Sequence, residues 1–214
     1  MKLGEIKLEA LMLIFPADEL KCYEKDGDAL IDKINELASD SSYNDYLTAM
    51  PGAINRCFAE LEGRGFVPKK SYTVKDNDKV QIGGKVMVDL TKIPSLLRVE
   101  RVLAYGDFSD IREIEHGYLG DKELLLPMVN GTYVIIYTPV TGRVYHYSDD
   151  SAVIHLPEDL CEIIPYFVKS ELLRAENEKE AAVARNTFEV MLEALARKDV
   201  GYQPKVQSIY EVPL

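Results

Sequence analysis

The chain has 214 residues, 47% of them hydrophobic and 29% charged, and a formal net charge of −11 at pH 7. That length supports a sizeable core in one domain or two small ones, and the acidity removes the long-range attraction by which DNA-binding modules hold phosphates. No apolar run approaches the ~20 residues of a membrane span, and Glu5 and Glu9 interrupt the first apolar stretch before it forms a secretion signal, so a chain made and kept in the cytoplasm, or assembled there, is expected.

The charge is uneven. Residues 1–65 carry 7 basic and 13 acidic side chains, and residues 156–198 carry 6 and 9. Residues 66–155 are nearly balanced, with 11 and 12. The two ends therefore share an acidic character that the middle lacks.

Residues 2–15 put Leu3, Ile6, Ala10 and Leu13 on one helical face, widened by Leu8, Leu11 and Met12, before Pro16 stops the helix. "DGDALIDKINELASD" predicts a second helix with Asp28 as N-cap and Leu30, Ile34 and Leu37 buried. A third starts near Ser41 or Ser42 and ends in "GRG". Its stripe of Tyr43, Leu47, Met50, Ile54, Cys57 and Leu61 keeps helical spacing straight through Pro51 and Gly52. A proline there removes the N–H that would bond the Leu47 carbonyl and costs about 3 kcal/mol in a helix interior. Either the helix kinks at Pro51, or a short turn ends one helix before it.

From Phe66 the pattern turns to strands. "KSYTVKDNDKVQIGG" reads as two strands joined by an Asp-Asn-Asp turn, with "GG" a further β-turn. "GKVMVDL" alternates, "RVERVLAYGDF" is rich in β-formers, and "GTYVIIYTPVTGRVYHYS" reads as a hairpin around "PVTG". The acidic stretch "GDFSDIREIEHGYLGDKE" reads as a solvated loop. Many short strands between turns predict an antiparallel sandwich or barrel. Of its surface-capable Tyr133, Tyr137, Tyr145 and Tyr147, about half must face the core.

Helix returns after Pro157, with Glu158 and Asp159 in the first turn and Leu160, Ile163 or Ile164, Phe167 and Leu172 as the stripe. Pro165 sits inside it, as Pro51 does in its own helix. A last helix opens with a capping-box-like Asn177 and Glu180 and buries Ala181, Ala184, Phe188, Met191, Leu192 and Leu195. "GYQPKVQSIYEVPL" closes as an extended tail. The predicted fold is α+β: a discontinuous helical bundle from residues 1–65 and 156–198, an inserted antiparallel β-sandwich or barrel-like domain at 66–155, and an extended arm at 199–214.

Catalytic signatures do not emerge. His116, His146 and His155 lack a zinc-binding partner at helical spacing, and His146 and His155 fall in strand patterns. Cys22, Cys57 and Cys161 are odd in number and form no C-x-x-C pair; Cys57 and Cys161 read as buried small hydrophobes. "DGDALID" starts like a calcium loop but misplaces its glycine and lacks the terminal Glu, so helix capping is the better reading. No enzyme, cofactor or metal is expected. The one enzymatic alternative is a metal-dependent hydrolase using carboxylates between 107 and 123, such as Asp107 and Asp110.

Three segments carry a resemblance: the opening "MKLGEIKLEALMLIF", the A-M-P-G-A-I-N stretch, and D-L-x-x-I-I-P-Y-F-V followed by E-A-x-x-A-R-N-x-F. Together they cover roughly half the chain and resemble phage and prophage head–tail adaptor (connector) proteins, including the tail-tubular adaptors of short-tailed phages. The resemblance implies a non-enzymatic virion protein of the neck or tail, assembled in the host cytoplasm. It implies a homo-oligomeric ring of about twelve copies below the portal protein, joined to a downstream tail or nozzle protein. DNA would pass through the lumen without specific binding, and no membrane would be involved. An acidic lumen repels phosphate, which suits DNA transit.

Adaptors of this kind often dock on the portal through terminal segments. The arm residues Tyr202, Pro204, Val206, Ile209, Tyr210 and Val212 are therefore assigned to portal or subunit contact; the other reading folds the tail back on its own bundle. Pro51, Gly52 and Pro165 are assigned to helix kinks. A stopper or tail-completion protein is the neighbouring alternative.

Overall fold

In a computed structural model, residues 1–15, 27–106 and 111–201 are described, with backbone alone at 27–31 and 197–201. The chain divides into two compact units, Met1–Cys57 with Arg143–Leu214, and Phe58–Gly142. The second unit thus starts and ends earlier than the predicted 66–155 insertion. Residues 143–155 belong with the helices, for a reason visible at Asn55 below.

The first unit is helical. Helix α1 (Leu3–Ile14) buries Leu3, Ile6, Leu8, Ala10 and Leu11, so it is covered on most sides rather than along one stripe. Helix α2 (Gly27–Ser39) begins at Gly27, which puts Asp28 inside its first turn rather than at the cap, and buries Ile34 and Leu37. Gly4 is needed where α1 meets α2: a methyl added there would lie 2.8 Å from the Ile34 Cδ1 and 3.2 Å from the Asp150 carbonyl oxygen.

Helix α3 (Ser41–Gly63) runs without interruption through Pro51, which is buried, so the proline does not end it. Leu47, Met50, Ile54, Cys57 and Leu61 are all buried and Tyr43 is half-buried, as the stripe predicts. Helix α4 (Glu158–Leu172) likewise continues through the buried Pro165. In both helices the carbonyl four residues before the proline has no N–H to receive. The burial of Met50 and Ile54, and of Ile164 and Phe167, offsets that loss, at roughly 1.5–3 kcal/mol for each large side chain.

Helix α5 (Glu178–Gly201) packs on α4, and α4 packs on α1, so the two ends of the chain share one apolar interior. Phe167 and Phe188 meet edge to face at 5.1 Å, with the Arg185 guanidinium 4.7 Å from the Phe167 ring centre. Asn177 and Glu180 cap α5 as predicted: the Glu180 N–H donates to Asn177 Oδ1 at 3.2 Å and Asn177 Nδ2 donates to Glu180 Oε1 at 3.1 Å. Met191 and Leu195 are half-buried rather than buried. Gly201 ends the described chain, so residues 199–201 are helix where an extended arm was expected.

The second unit holds two open, four-stranded antiparallel sheets, neither closed into a barrel. One has the order β1 (Lys70–Thr73), β8 (Thr132–Pro139), β4 (Leu96–Tyr105), β5 (Ile111–Ile114). The other has the order β2 (Lys79–Ile82), β3 (Lys85–Asp89), β7 (Glu123–Pro127), β6 (Gly117–Leu119). Their inward residues, among them Val86, Val88, Val102, Leu124, Leu126 and Ile135, form one apolar core. Tyr133 joins it at 1% exposure because its hydroxyl is satisfied, donating to the Pro127 carbonyl and accepting from the Val129 N–H.

β1 and β2 follow each other through the Asp76–Asp78 turn yet lie in different sheets. β2 and β3 pair through Gly83 and Gly84, both at positive φ, the hairpin turn that "IGGK" predicts. The acidic stretch is not a loop throughout. β5 and β6 lie within it, because Ile114 is buried against β4 and Tyr118 pairs with Leu124. β8 has no return strand after "PVTG"; residues 140–150 are turns and irregular backbone, which corrects the predicted hairpin.

Candidate functional site

Asn55, on the half-buried side of α3, explains the missing strand. Its Nδ2 donates to the Val144 carbonyl at 2.7 Å, and its Oδ1 accepts from the Val144 N–H at 2.8 Å. The peptide groups that a strand would have spent on a ladder are thus satisfied by one side-chain amide. Val144 is buried beneath the turn it anchors.

The turn that follows is closed from within. The Tyr145 N–H donates to Ser148 Oγ at 2.9 Å and the Ser148 N–H to the Tyr145 carbonyl at 3.0 Å. One step further, the Lys7 ammonium meets Asp150 Oδ1 at 2.6 Å, with side-chain exposures of 7% and 16%. The Gly4 and Leu3 N–H groups donate to the Asp150 and Ala152 carbonyls, both at 2.9 Å. Those N–H groups lie in the first turn of α1, where no intrahelical acceptor is available, so the segment caps the helix.

On this fixed turn Tyr145 and Tyr147 stack in parallel, ring centres 5.2 Å apart, and His146 meets Tyr147 edge-on at 5.0 Å. Tyr147 is 73% exposed and Tyr145 45%. A rigid aromatic pair held in water by a pinned backbone offers contact area with little ordering cost, the property of protein-recognition anchors. The pair lies with the helical unit and not in the β-domain that its strand-like pattern predicts. The available signal was "YSDDS", whose Ser and Asp side chains favour turns over a strand's ladder.

The other predicted sites stand as follows. Tyr133 and Tyr137 are core residues. Pro51 and Pro165 are buried inside α3 and α4, and Gly52 is exposed with no neighbour nearer to an added methyl than Arg56 Nη1 at 3.7 Å. The arm residues Tyr202, Pro204, Val206, Ile209, Tyr210 and Val212 lie outside the described residues, as do Cys22, Asp107 and Asp110. Cys57 and Cys161 are buried thiols, and burial pushes the Cys161 thiol up from its ordinary value. Neither His146 nor His155 sits in a named strand.

Among the described residues, two cavities of the helical unit stand out. One, of about 490 Å³, is lined by Glu171, Arg174, Glu178 and Arg185 between α4 and α5. The other, of about 370 Å³, is lined by Leu13, Tyr166, Lys169, Val183 and Thr187. Lys169 is already engaged there, donating to the Leu13 carbonyl at 2.6 Å and pairing with Glu180 at 3.2 Å. It holds the end of α1 to the start of α5, each at the helix pole that favours its charge.

Among the described residues no three His, Cys, Asp or Glu side chains converge as a metal site, and no helix is long and apolar enough to cross a membrane. In comparisons with protein-family models and with curated proteins, the chain matches none.

Proposed function

We propose that this protein is a structural, non-enzymatic component of a phage neck, a head–tail adaptor that assembles as a ring below the portal and joins capsid to tail. The observation that carries this reading is where the resemblance falls. The A-M-P-G-A-I-N and D-L-x-x-I-I-P-Y-F-V segments supply Met50, Ile54, Ile163, Ile164, Phe167 and Val168 to the interior of the helical unit. The similarity therefore concerns residues that define a fold built from both chain ends, with a β-unit between them, rather than a scatter of surface positions.

Charge supports the same reading. The predicted helical segments 1–65 and 156–198 hold a net −6 and −3 of the total −11. A ring lumen lined by such a unit would repel DNA and let it slide. The stacked Tyr145–Tyr147 pair is a contact surface for a neighbouring copy or the next tail component, and residues 202–214, with the arm positions Tyr202 to Val212, are assigned to the portal. Bends at Pro51, Gly52 and Pro165 would shape the helices to that assembly. No cofactor or metal takes part.

Binding to isolated portal rings tests the arm. Deleting residues 202–214 should abolish co-sedimentation with the portal while leaving the thermal transition in place. Unchanged co-sedimentation would remove the arm from the interface.

A further inference from the structure

The second sheet, β2-β3-β7-β6, has two edges with no partner strand among the described residues. Edge strands are normally blunted by charge, bulges or cover, because a row of unpaired N–H and C=O groups templates pairing with another chain. The β1 edge of the other sheet begins with Lys70, and its β5 edge carries Arg112 and Glu113. β5 also exposes one large apolar group, Ile111 at 52%, whereas β2 presents two, Val80 at 54% and Ile82 at 51%, and β6 presents two, Tyr118 at 53% and Leu119 at 50%.

Register places these groups. Val86 and Val88 of β3 face the core, so Lys85 and Met87 face away from it, and their partners Ile82 and Val80 share that outer face. On β7, Leu124 and Leu126 face the core, so Glu123 faces out, with its partner Leu119. Both edges therefore carry exposed apolar groups on the same outer face of one sheet.

Their charges are complementary. Lys85, across from Ile82, is exposed and makes no ion pair among the described residues. The β6 edge is flanked by the exposed Glu115 and Asp121, which likewise have no cation among the described residues. Antiparallel pairing of β2 with β6 sets the end of β2 that leads to Lys85 beside the start of β6, which Glu115 precedes, so unlike charges meet there.

Strand direction fits as well. Three successive antiparallel pairings make β2 and β6 run in opposite directions. A copy rotated about an axis along the strands sets its β2 antiparallel to the first copy's β6. That contact is heterologous, and such contacts close into rings when the rotation divides the circle.

We infer that copies of this chain join head to tail through the second sheet, the β6 edge of one copy extending onto the β2 edge of the next, with Leu119 beside Val80 and Ile82 on the outer face. The inference deepens the ring reading above and rests on it. Three to four residues per edge make a small contact, so each joint is weak alone and the closed ring gains from all of them.

Sedimentation velocity on the full chain tests it with two variants, Val80→Glu with Ile82→Glu, and Tyr118→Glu with Leu119→Glu. All four positions are at least half exposed, and retention of the wild-type thermal transition verifies folding. The wild-type chain should form species larger than a dimer, and each variant alone should stay monomeric. An equimolar mixture of the two should form a dimer and stop there, because one intact β6 and one intact β2 remain. A monomeric wild type, assembly by either variant alone, or a mixture that stays monomeric would overturn the edge pairing. Large wild-type species that both variants also form would overturn it while leaving the ring reading intact, and copy number in particles judges that reading separately.

Discussion

Asn55 and Val144 are joined by a reciprocal pair of hydrogen bonds, 2.7 and 2.8 Å, between one side-chain amide and one residue's backbone. That pair ends the β-structure, assigns residues 143–156 to the helical unit and fixes the base of the exposed tyrosine turn. Replacing Asn55 by Leu should leave both Val144 groups unsatisfied beneath that turn and cost about 2–4 kcal/mol. Urea unfolding measures the loss. Asn55→Asp, which keeps the acceptor and loses the donor, should cost less than Asn55→Leu.

The Lys7–Asp150 pair is nearly buried, so breaking it from one side leaves an uncompensated charge. Lys7→Met alone should destabilise by about 3 kcal/mol, and adding Asp150→Leu should recover part of that loss. A double-mutant cycle in urea checks the coupling; strictly additive single effects would contradict it.

Two glycines should answer an added methyl in opposite ways. Gly52 lies in the α3 interior with open space around it, so Gly52→Ala should raise stability by about 0.5–1 kcal/mol. Gly131 sits at φ 143° with the Tyr105 carbonyl oxygen 1.8 Å from where a Cβ would stand. Gly131→Ala must displace β-sheet backbone and should lower the melting temperature by many degrees or prevent soluble expression.

Alkaline and acid limits follow from two tyrosine–carboxylate pairs. The hydrogen bond to Asp78 pushes the Tyr72 phenol up to about 12, and the one to Glu176 does the same for Tyr46. A raised folded value means that these bonds contribute fully below the unfolded tyrosine value of about 10 and are lost as pH climbs toward 12. The Tyr72 hydroxyl, first, and the Lys75 N–H and Lys92 hold the Asp78 carboxyl below its ordinary range. That contribution is present above pH ~4 and disappears as pH falls through the lowered value. Absorbance titration of the phenolates should show Tyr46 and Tyr72 ionising late, and Tyr72→Phe should remove one late step.

The helices were legible because each buries a stripe at its own period. Met50, Ile54, Cys57 and Leu61 reveal α3 even across Pro51, since burial outweighs one lost backbone bond. The sheets were legible only as strands. β1 and β2 are neighbours in the chain and belong to different sheets, a partition set by long-range partners such as Val134 for Thr73. β5 and β6 escaped notice because an edge strand half in water lacks the apolar alternation that marks a strand. The tyrosine turn was misread for a related reason: Val144, Tyr145 and Tyr147 have strand propensity, but Asn55, 89 residues earlier, takes the backbone bonds a strand needs.

Assembly into a connector is tested by the amount of this protein in purified phage particles relative to the major capsid protein. A single connector ring gives a ratio equivalent to about twelve copies per particle. Absence of the protein from mature particles would contradict it.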